Sequence, residues 1–342
     1  MHPGTASKRG DAAAGRGKIL VTGGAGYVGS HTCKALAAQG YDPVVFDSLE
    51  TGHRGAVKWG CLVRGSLRDK EHLLRTMEHH RVVAVLHFAA SAYVAESVSD
   101  PAKYYRNNVG GTINLLDAMR ESGPGHIVFS SSCATYGVPE STPISEQASQ
   151  DPVSPYGRSK LMIERILTDY SAAYGIGACS LRYFNAAGAD PDGEIGERHD
   201  PEPHLIPSVL RVGRGGNGSV KVFGGDYPTR DGTCVRDFVH VADLAEAHCL
   251  ALQYLIENRG YHAFNLGSGE GYSVMEVIKA AESEIGRPVP FTVEQRRLGD
   301  PPVLVADSSR AERELGWVRN YSSLGEILGT AWRWECSGVS LD

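Results

Sequence analysis

Short apolar runs alternate with longer stretches of helical periodicity along most of the chain. Runs with the length of strands lie at 18–22, 41–46, 61–64, 82–89, 126–130, 178–183 and 263–267. Stretches that favour helices lie between them at 30–38, 70–79, 101–122 and 156–174. Because strands that alternate with helices form βαβ units, this pattern predicts an α/β fold with a doubly wound parallel sheet.

The pattern changes after residue 184. Proline and glycine punctuate short segments through 186–232, which is typical of loops and small elements that cover a ligand. A helix and a strand within 237–267 are expected to return to the sheet. Two further helices are predicted at 273–286 and 308–316.

Composition and charge disfavour several classes of function. Apolar residues make up 42% of the 342 positions, and the net charge of −6 gives no basis for binding nucleic acid.

No run approaches the roughly 18 apolar residues that a membrane span needs, and residues 1–17 lack the apolar core of a signal peptide, so we expect a cytoplasmic protein. The seven scattered cysteines are predicted to be reduced thiols. The pairs His79 with His80 and His199 with His204 lack a clear set of partner ligands, so we predict no metal site.

A glycine-rich segment follows the first strand. Gly23, Gly26 and Gly29 stand between the run 18–22 and a helical stretch, where a tight turn and free backbone amides can cradle a pyrophosphate. The spacing differs from Gly-x-Gly-x-x-Gly, and a purely structural loop is the alternative. Asp47 ends the second run, 18 residues after Gly29, where a carboxylate binds an adenosine ribose and repels a 2′-phosphate. This favours NAD over NADP, although Asp47 can also simply cap the next turn.

Tyr156 and Lys160 lie four residues apart in a predicted helix. Side chains at this spacing share one face, and a nearby ammonium favours the ionised form of a phenol, which can then act as a base. The same spacing also occurs on solvated helix faces, so the pair alone does not establish catalysis.

Several separated motifs together resemble the extended short-chain dehydrogenase/reductase superfamily and, within it, the UDP-glucose 4-epimerases, over about 18–335. The matching motifs are Thr22-Gly-Gly-Ala-Gly-Tyr-Val-Gly29, His87-Phe-Ala-Ala90, Asn107-Asn-Val-Gly-Gly-Thr112, Ser130-Ser-Ser132, Tyr156-x-x-x-Lys160, Arg182-Tyr-Phe-Asn-Ala-Ala-Gly188, Phe223-Gly-Gly-Asp-Tyr-Pro-Thr229, Val235-Arg-Asp-Phe-Val-His-Val241 and Arg296-Arg-x-Gly-Asp300. The resemblance implies a Rossmann-like domain and a smaller C-terminal α/β lobe. We therefore predict a disordered tail at 1–17, an NAD-binding domain at 18–184 with about 233–267, and a nucleotide-sugar lobe at 185–232 with about 268–342.

The resemblance also implies the reaction and the residues that perform it. It implies epimerisation at C4 of a UDP-sugar through a transient 4-keto intermediate, with Tyr156 as base and then acid, aided by Lys160 and Ser132. Residues matched to cofactor contacts are Gly23, Gly26, Tyr27, Val28, Gly29, Asp47, Ser66, Leu67, Phe88, Ala89, Ala90, Asn108, Ser130, Tyr156, Lys160 and Tyr183. Residues matched to substrate contacts are Ser132, Tyr156, Asn185, Leu205, Phe223, Arg236, Arg297 and Asp300.

Some positions depart from the family pattern. Ser66 replaces an aspartate that meets the adenine, Ala92 replaces a lysine near the phosphates, and Phe238 replaces a tyrosine. Leu304 stands where some members carry a large aromatic side chain beside the 2-substituent of the sugar. UDP-glucose is the expected substrate, with UDP-xylose/UDP-arabinose and UDP-N-acetylglucosamine as alternatives that these residues leave open.

Two further expectations concern other chemistry and assembly. Cys133 and Ala134 follow Ser132 where dehydratases carry an acidic pair, so elimination is disfavoured. A catalytically silent NAD-binding scaffold is the alternative from another class, although the base and its partners are all present. Helices 101–122 and 156–174 carry more apolar residues than one core-facing stripe needs, which predicts a homodimer through a four-helix interface.

Overall fold

The computed structural model describes residues 15–216, 218–297 and 300–341, so most of the predicted tail at 1–17 lies outside the described residues. The strands are β1 (Lys18–Thr22), β2 (Asp42–Asp47), β3 (Cys61–Arg64), β4 (Val82–His87), β5 (His126–Ser130), β6 (Gly177–Tyr183), β7 (Asn185–Ala187), β8 (Val220–Phe223), β9 (Val235–His240), β10 (Tyr261–Leu266), β11 (Gly271–Ser273), β12 (Phe291–Glu294) and β13 (Val303–Leu304). The α-helices are α1 (Tyr27–Ala38), α2 (Lys70–His80), α3 (Val94–Ser99), α4 (Pro101–Tyr104), α5 (Gly111–Ser122), α6 (Pro155–Tyr174), α7 (Leu205–Arg214), α8 (Val241–Glu257), α9 (Val274–Ile285), α10 (Ser309–Leu315) and α11 (Leu324–Ser337).

Seven strands form one parallel sheet in the order β3-β2-β1-β4-β5-β6-β10. This confirms the predicted α/β class and the doubly wound sheet. The strand order reverses between β1 and β4, and connections leave this point toward opposite faces. A crevice therefore opens at the carboxyl ends of the strands, which is where open α/β sheets bind ligands.

The large sheet is buried on both faces because successive strand residues point in opposite directions. Ile19 of β1 packs with Leu36 of α1 and Leu244 of α8 on one face. The next residue, Leu20, packs on the other face with side chains of α2, α5 and α6, such as Leu115. Burial on both sides explains why these strands appear in the sequence as continuous apolar runs.

A second group of strands belongs to the C-terminal part. β9 pairs with β11, β13 and β7, and β8 pairs with β12, while α7, α9 and α11 share a separate apolar core around Val209, Ile278 and Leu328. The predicted first domain includes about 233–267, but β9 within that range lies in this second sheet. The alternation of polar and apolar residues within a strand does not show which other strand it pairs with. The division into two domains otherwise stays a prediction.

One predicted helix is interrupted near the crevice. The stretch 101–122 comprises α4, a π-helical segment at Tyr105–Gly110, and α5. Wider helical turns of this kind occur often at functional sites, and this one carries Asn108. Among the described residues, no helix is long and apolar enough to cross a membrane.

Candidate active site

The glycine-rich turn after β1 requires glycine at two positions. Gly23 adopts a φ of +74°, and a Cβ built there would lie 2.6 Å from the backbone nitrogen of Ala89. A Cβ on Gly29 would lie 2.3 Å from the carbonyl oxygen of Gly23. Helix α1 starts after Gly26 without a side-chain cap, so its first amides remain available to an anion. The turn therefore fits the pyrophosphate of a dinucleotide.

Asp47 lies beside this turn at the end of β2. Its carboxylate accepts hydrogen bonds from the backbone N–H of Ala25, at 3.0 Å, and of Leu49, at 2.9 Å. Burial raises the pKa of this carboxyl. Asp47 thus both caps the following turn and approaches the glycine turn, so the two interpretations of its sequence position are compatible.

The other residues matched to cofactor contacts follow the ends of neighbouring strands. The N–H groups of Phe88 and Ala89 both donate to the Thr22 carbonyl, at 2.9 and 3.0 Å, which ends the β4 ladder before Ala90 and shortens the predicted strand 82–89. Tyr27 donates its hydroxyl to the Gly188 carbonyl at 2.6 Å. Val28 packs in the first turn of α1.

Two of the cofactor-matched residues follow β3. The Ser66 hydroxyl oxygen accepts from the N–H of Arg68, and the carbonyl of the buried Leu67 accepts from the Asn114 amide. Both positions lie beyond the end of β3, which β1 and β2 separate from β4 in the sheet.

Helix α6 carries the predicted phenol and amine. Ser154 caps its N-terminus and Pro155 occupies the first turn, which fixes the helical register of Tyr156 and Lys160. The Lys160 ammonium is buried and donates to the Ser130 carbonyl at 2.7 Å. It lies 5.7 Å from the centre of the Tyr156 ring. Burial lowers the pKa of Lys160 to about 7, against an opposing influence of the Glu164 carboxylate.

Tyr156 has a different electrostatic environment from the one its spacing suggested. Burial raises the pKa of its phenol, with Tyr183 adding to the effect, and a hydrogen bond with Ser132 lowers it. The helical spacing predicts that the Lys160 ammonium stabilises the phenolate. In the structure the ammonium is directed to Ser130, and the stabilising contact to the phenol comes from Ser132.

Ser130 and Tyr183 form the floor of the site at the ends of β5 and β6. Their hydroxyl oxygens are 2.7 Å apart. Because parallel strands end at the same edge, these two residues lie near helix α6: the Ser130 carbonyl accepts from Lys160, and Tyr183 influences the pKa of Tyr156.

Asn108 connects helix α6 to the loop after β4. Its buried amide donates to the Ser91 carbonyl at 3.0 Å and to the Ser159 hydroxyl at 3.1 Å, and its oxygen accepts from the Ser91 N–H. Ser159 in turn donates to the Tyr156 carbonyl at 2.7 Å. The network orients the turn of α6 that carries both functional side chains.

Sequence reasoning missed a buried ion pair directly behind the site. Glu164 and Arg182 pair at 2.6 Å, with side-chain exposures of 3% and 6%. The Ser131 hydroxyl, between Ser130 and Ser132, donates to Glu164 at 2.6 Å. Glu164 lies four residues after Lys160, so it shares the helix face of Tyr156 and Lys160. This spacing is the signal in the sequence that points to Glu164.

The residues matched to substrate contacts form two contacting pairs in the second lobe. Arg236 on β9 forms an ion pair with Asp300. The Arg297 guanidinium lies 3.8 Å from the centre of the Phe223 ring. The Asp300 N–H donates to the Arg297 carbonyl, which links the two pairs.

The other two substrate-matched residues lie at the starts of elements. Asn185 opens β7 and pairs in register with Phe238 of β9. Leu205 opens α7 and packs partly into the core of the second lobe.

Comparisons with known proteins agree with this geometry. A model of the NAD dependent epimerase/dehydratase family matches residues 19–267. The UDP-glucose 4-epimerase of Rhizobium meliloti (strain 1021) is 50% identical over 317 residues, or 93% of this chain and 96% of that protein.

Solved structures show the same fold. The crystal structure of UDP-glucose 4-epimerase from Brucella ovis in complex with NAD is 54% identical, with a TM-score of 0.90 over 92% of this chain and 97% of that chain. The structure of the enzyme from Stenotrophomonas maltophila with bound NAD and formylated UDP-arabinopyranose is 42% identical, with a TM-score of 0.91 over 94% and 98% of the two chains. The resemblance found in the sequence is confirmed, and the chain belongs to the NAD dependent epimerase/dehydratase family.

Proposed function

We propose that this protein epimerises UDP-sugars at C4 with NAD as its cofactor, and that it interconverts UDP-glucose and UDP-galactose. The observation that carries the proposal is the convergence of Ser132, Tyr156 and Lys160 at the carboxyl edge of the sheet, beside the glycine turn. Relatives about 50% identical over nearly their whole length are UDP-glucose 4-epimerases, which supports the same reaction here.

The protein groups supply the proton transfers of this reaction. Bound NAD would supply reversible hydride transfer at C4. Tyr156 removes the proton of the 4-hydroxyl group, holds it while C4 is a ketone, and gives it back to the same oxygen. Ser132 donates its one hydroxyl proton to whichever oxygen carries the negative charge, the sugar 4-oxygen or the phenolate, so charge on each is stabilised in turn. The Ser130 carbonyl holds Lys160, and we expect its ammonium to contact the nicotinamide ribose of bound NAD.

We assign the cofactor and nucleotide sites from their chemistry. The glycine turn and Asp47 would hold the pyrophosphate and the adenosine ribose of NAD. In the second lobe, Arg236 and Arg297 offer planar guanidinium groups that suit the UDP diphosphate. Asp300 forms an ion pair with Arg236. When the diphosphate binds, we expect the Arg236 guanidinium to donate hydrogen bonds both to it and to Asp300. The carboxylate oxygen that loses its bond to Arg236 can then accept from the uridine ribose.

The choice of sugar depends on the surroundings of Leu304. This side chain pairs in register with Arg236 and packs in a cluster with Cys133 and Phe184, close to the predicted substrate site. Leu304 is smaller than an aromatic residue, and it leaves room for an N-acetyl group at C2. UDP-N-acetylglucosamine is therefore the second candidate substrate.

The function is tested by incubating purified protein, without added NAD, with UDP-glucose, UDP-N-acetylglucosamine or UDP-xylose in separate reactions and separating the products. We expect UDP-galactose from the first reaction, because the hydride that leaves C4 returns in the same turnover and NAD is regenerated. The release of bound NAD on denaturation is measured in the same preparation. A protein that binds NAD but converts none of the three sugars would contradict the proposed reaction.

We also propose a homodimer through α5 and α6. Three apolar side chains on these helices are exposed in the single chain, namely Ile113 at 37%, Met162 at 45% and Tyr174 at 50%. The Tyr170 hydroxyl donates to Asp117 at 3.0 Å, so the two helices present one continuous face. Covering this face with a second copy would form a four-helix interface.

Met162→Glu is expected to convert the dimer into monomers, because it places a charge at the centre of a face that loses water on association. Analytical ultracentrifugation at micromolar concentration measures the change. Val318→Glu is the matched control, since Val318 is an apolar residue that is 65% exposed in the turn after α10. A wild-type protein that sediments as a monomer, or a Met162→Glu variant that remains dimeric, would contradict the interface.

The cytoplasm is the compartment that we propose for this protein. All seven cysteines are free, and five of them are buried. Burial raises the pKa of thiols such as Cys133, to about 12, which keeps them protonated and unreactive. This cysteine chemistry suits a reducing environment.

A further inference from the structure

The segment that leads into helix α7 gathers two carboxylates and two imidazoles. The four residues fall within the eight positions 197–204 and are Glu197, His199, Glu202 and His204. One possible ligand atom of each lies within 4.8 Å of those of the others. The side chains of Glu197 and Glu202 are only 6% and 3% exposed, and that of His199 is 18% exposed. The sequence predicts no metal site at these histidines, because the sequence pattern alone does not bring the two glutamates to them.

The donor atoms are spaced as the ligands of one small cation would be. Oε1 of Glu197 is 3.3 Å from Nδ1 of His199 and 2.7 Å from Nδ1 of His204. Oε1 of Glu202 is 3.7 and 3.2 Å from the same two nitrogens. Ligands placed about 2.0–2.2 Å from a tetrahedral zinc ion are roughly 3.3–3.6 Å apart. Three of the four separations are close to this range, and one is shorter.

Hydrogen bonding within the cluster does not satisfy all of its atoms. Nδ1 of His199 and Oε2 of Glu202 are buried and lack a hydrogen-bond partner among the described residues. The 3.3 Å approach of His199 to Glu197 therefore lacks hydrogen-bond alignment. A nitrogen and an oxygen that come this close without forming a hydrogen bond are arranged as two ligands of one metal ion would be.

Charge balance is compatible with a divalent cation at this cluster. Two buried carboxylates need two compensating positive charges. In the neighbouring group of Asp190, Asp192 and Glu194, the Lys34 ammonium provides compensation at 2.6–2.8 Å from each carboxylate. Within the described part of the chain, the ion-pair partners of Glu197 and Glu202 are the two histidines. Burial lowers the pKa of both imidazoles, but the two carboxylates raise it further, to about 9 for His199 and about 10 for His204, so without a metal two imidazolium ions balance the carboxylates. One divalent cation bound by neutral imidazoles would replace those two charges.

We propose that Glu197, His199, Glu202 and His204 form a tetrahedral site for a divalent transition-metal ion of the zinc class. Imidazole nitrogen and carboxylate oxygen are ligands that zinc takes in proteins. The site lies outside the groups that perform the proton transfers, and its role is structural.

The neighbours of the segment indicate what the metal would hold in place. The Glu197 carbonyl accepts from the Trp334 indole of α11 at 3.0 Å, and the His199 ring lies 6.1 Å from the ring of Tyr93 in the loop after β4. His204 is followed directly by Leu205, which opens α7 and is matched to a substrate contact. The ion would therefore fix the segment that joins the second lobe to the edge of the candidate active site.

Cobalt(II) provides a direct test, because tetrahedral cobalt has intense visible d–d absorption whether or not the enzyme turns over. Protein is dialysed against a chelator, returned to metal-free buffer, and titrated with Co²⁺ and then with Zn²⁺. We expect one equivalent of tetrahedral Co²⁺ per chain, displaced by Zn²⁺, and a thermal unfolding midpoint that rises with added Zn²⁺.

Two variants separate this site from adventitious binding. The double variant His199→Ala/His204→Ala should lose the cobalt spectrum and the zinc-dependent rise in melting temperature, and Glu202→Gln should weaken both while keeping the size of the side chain. The matched control is His79→Ala/His80→Ala, which removes the other histidine pair, at the end of α2, and should behave as wild type. Far-UV circular dichroism checks that each variant is folded. A wild-type protein without the tetrahedral spectrum, or a spectrum lost equally in the control, overturns the proposal.

Discussion

Tyr156→Phe is expected to lower the turnover of UDP-glucose by about 10²–10⁴-fold, the range that a positioned general acid or base contributes. The substitution removes one oxygen atom and leaves the ring that packs beside Lys160 and Tyr104. Without the hydroxyl, the group assigned to take the proton of the 4-hydroxyl group is lost. Oxidation at C4 would then form a protonated carbonyl, because the proton stays on the 4-oxygen, and this slows the hydride transfer.

The measurement is the initial rate of UDP-galactose formation at saturating UDP-glucose, together with the NAD content of the purified variant. We expect the NAD content to stay at the wild-type level, because the residues assigned to the glycine turn and Asp47 are untouched. Tyr254→Phe is the matched control, since this phenol lies on α8 and bonds Glu314 far from the site. A Tyr156→Phe variant with turnover within tenfold of wild type would refute the assigned base.

Much of the fold was predictable because its signals are local. Strands such as β4 and β5 are buried on both faces, so their side chains are apolar in an unbroken run, and the run marks the strand. Gly23 and Gly29 are required by close backbone approaches that are set by the turn itself. The shared face of Tyr156 and Lys160 likewise follows from helical periodicity alone.

The remaining features depend on contacts between distant parts of the chain. The Lys160 ammonium bonds the carbonyl at the end of β5, 30 residues away, instead of the phenol one turn away. The residues around Ser130 do not indicate that its carbonyl points toward α6. The pairing of β9 with β7 and β13, and the approach of Glu197 to His199 and His204, are decided by packing in the same way.

The buried pair of Glu164 and Arg182 shows how such a contact supports the site. Glu164 accepts from the Ser131 hydroxyl, and Arg182 also donates to the Tyr136 hydroxyl at 2.9 Å. The Glu164 carboxylate opposes the effect of burial on the pKa of Lys160, which keeps more of that amine charged. The pair therefore fixes both the strand end that holds Ser130 and the charge of Lys160.

Glu164→Ala is expected to reduce the free energy of unfolding by about 3–5 kcal/mol, because it leaves the Arg182 guanidinium buried without a counter-charge. Denaturant unfolding followed by circular dichroism measures the change. For comparison, Lys103→Met breaks the exposed pair of Lys103 with Glu96, with side-chain exposures of 41% and 35%, and should cost less than about 1 kcal/mol.

The double variant Glu164→Gln/Arg182→Met identifies the cause of this loss. It removes both charges together and keeps an oxygen that can accept from Ser131, so we expect it to recover more than half of the stability lost in Glu164→Ala. Replacing a buried pair by neutral groups of similar size often costs little, whereas removing one partner leaves a charge with no compensation. If the double variant is as unstable as the single one, the loss comes from packing and hydrogen bonding, and the unpaired charge is not its source.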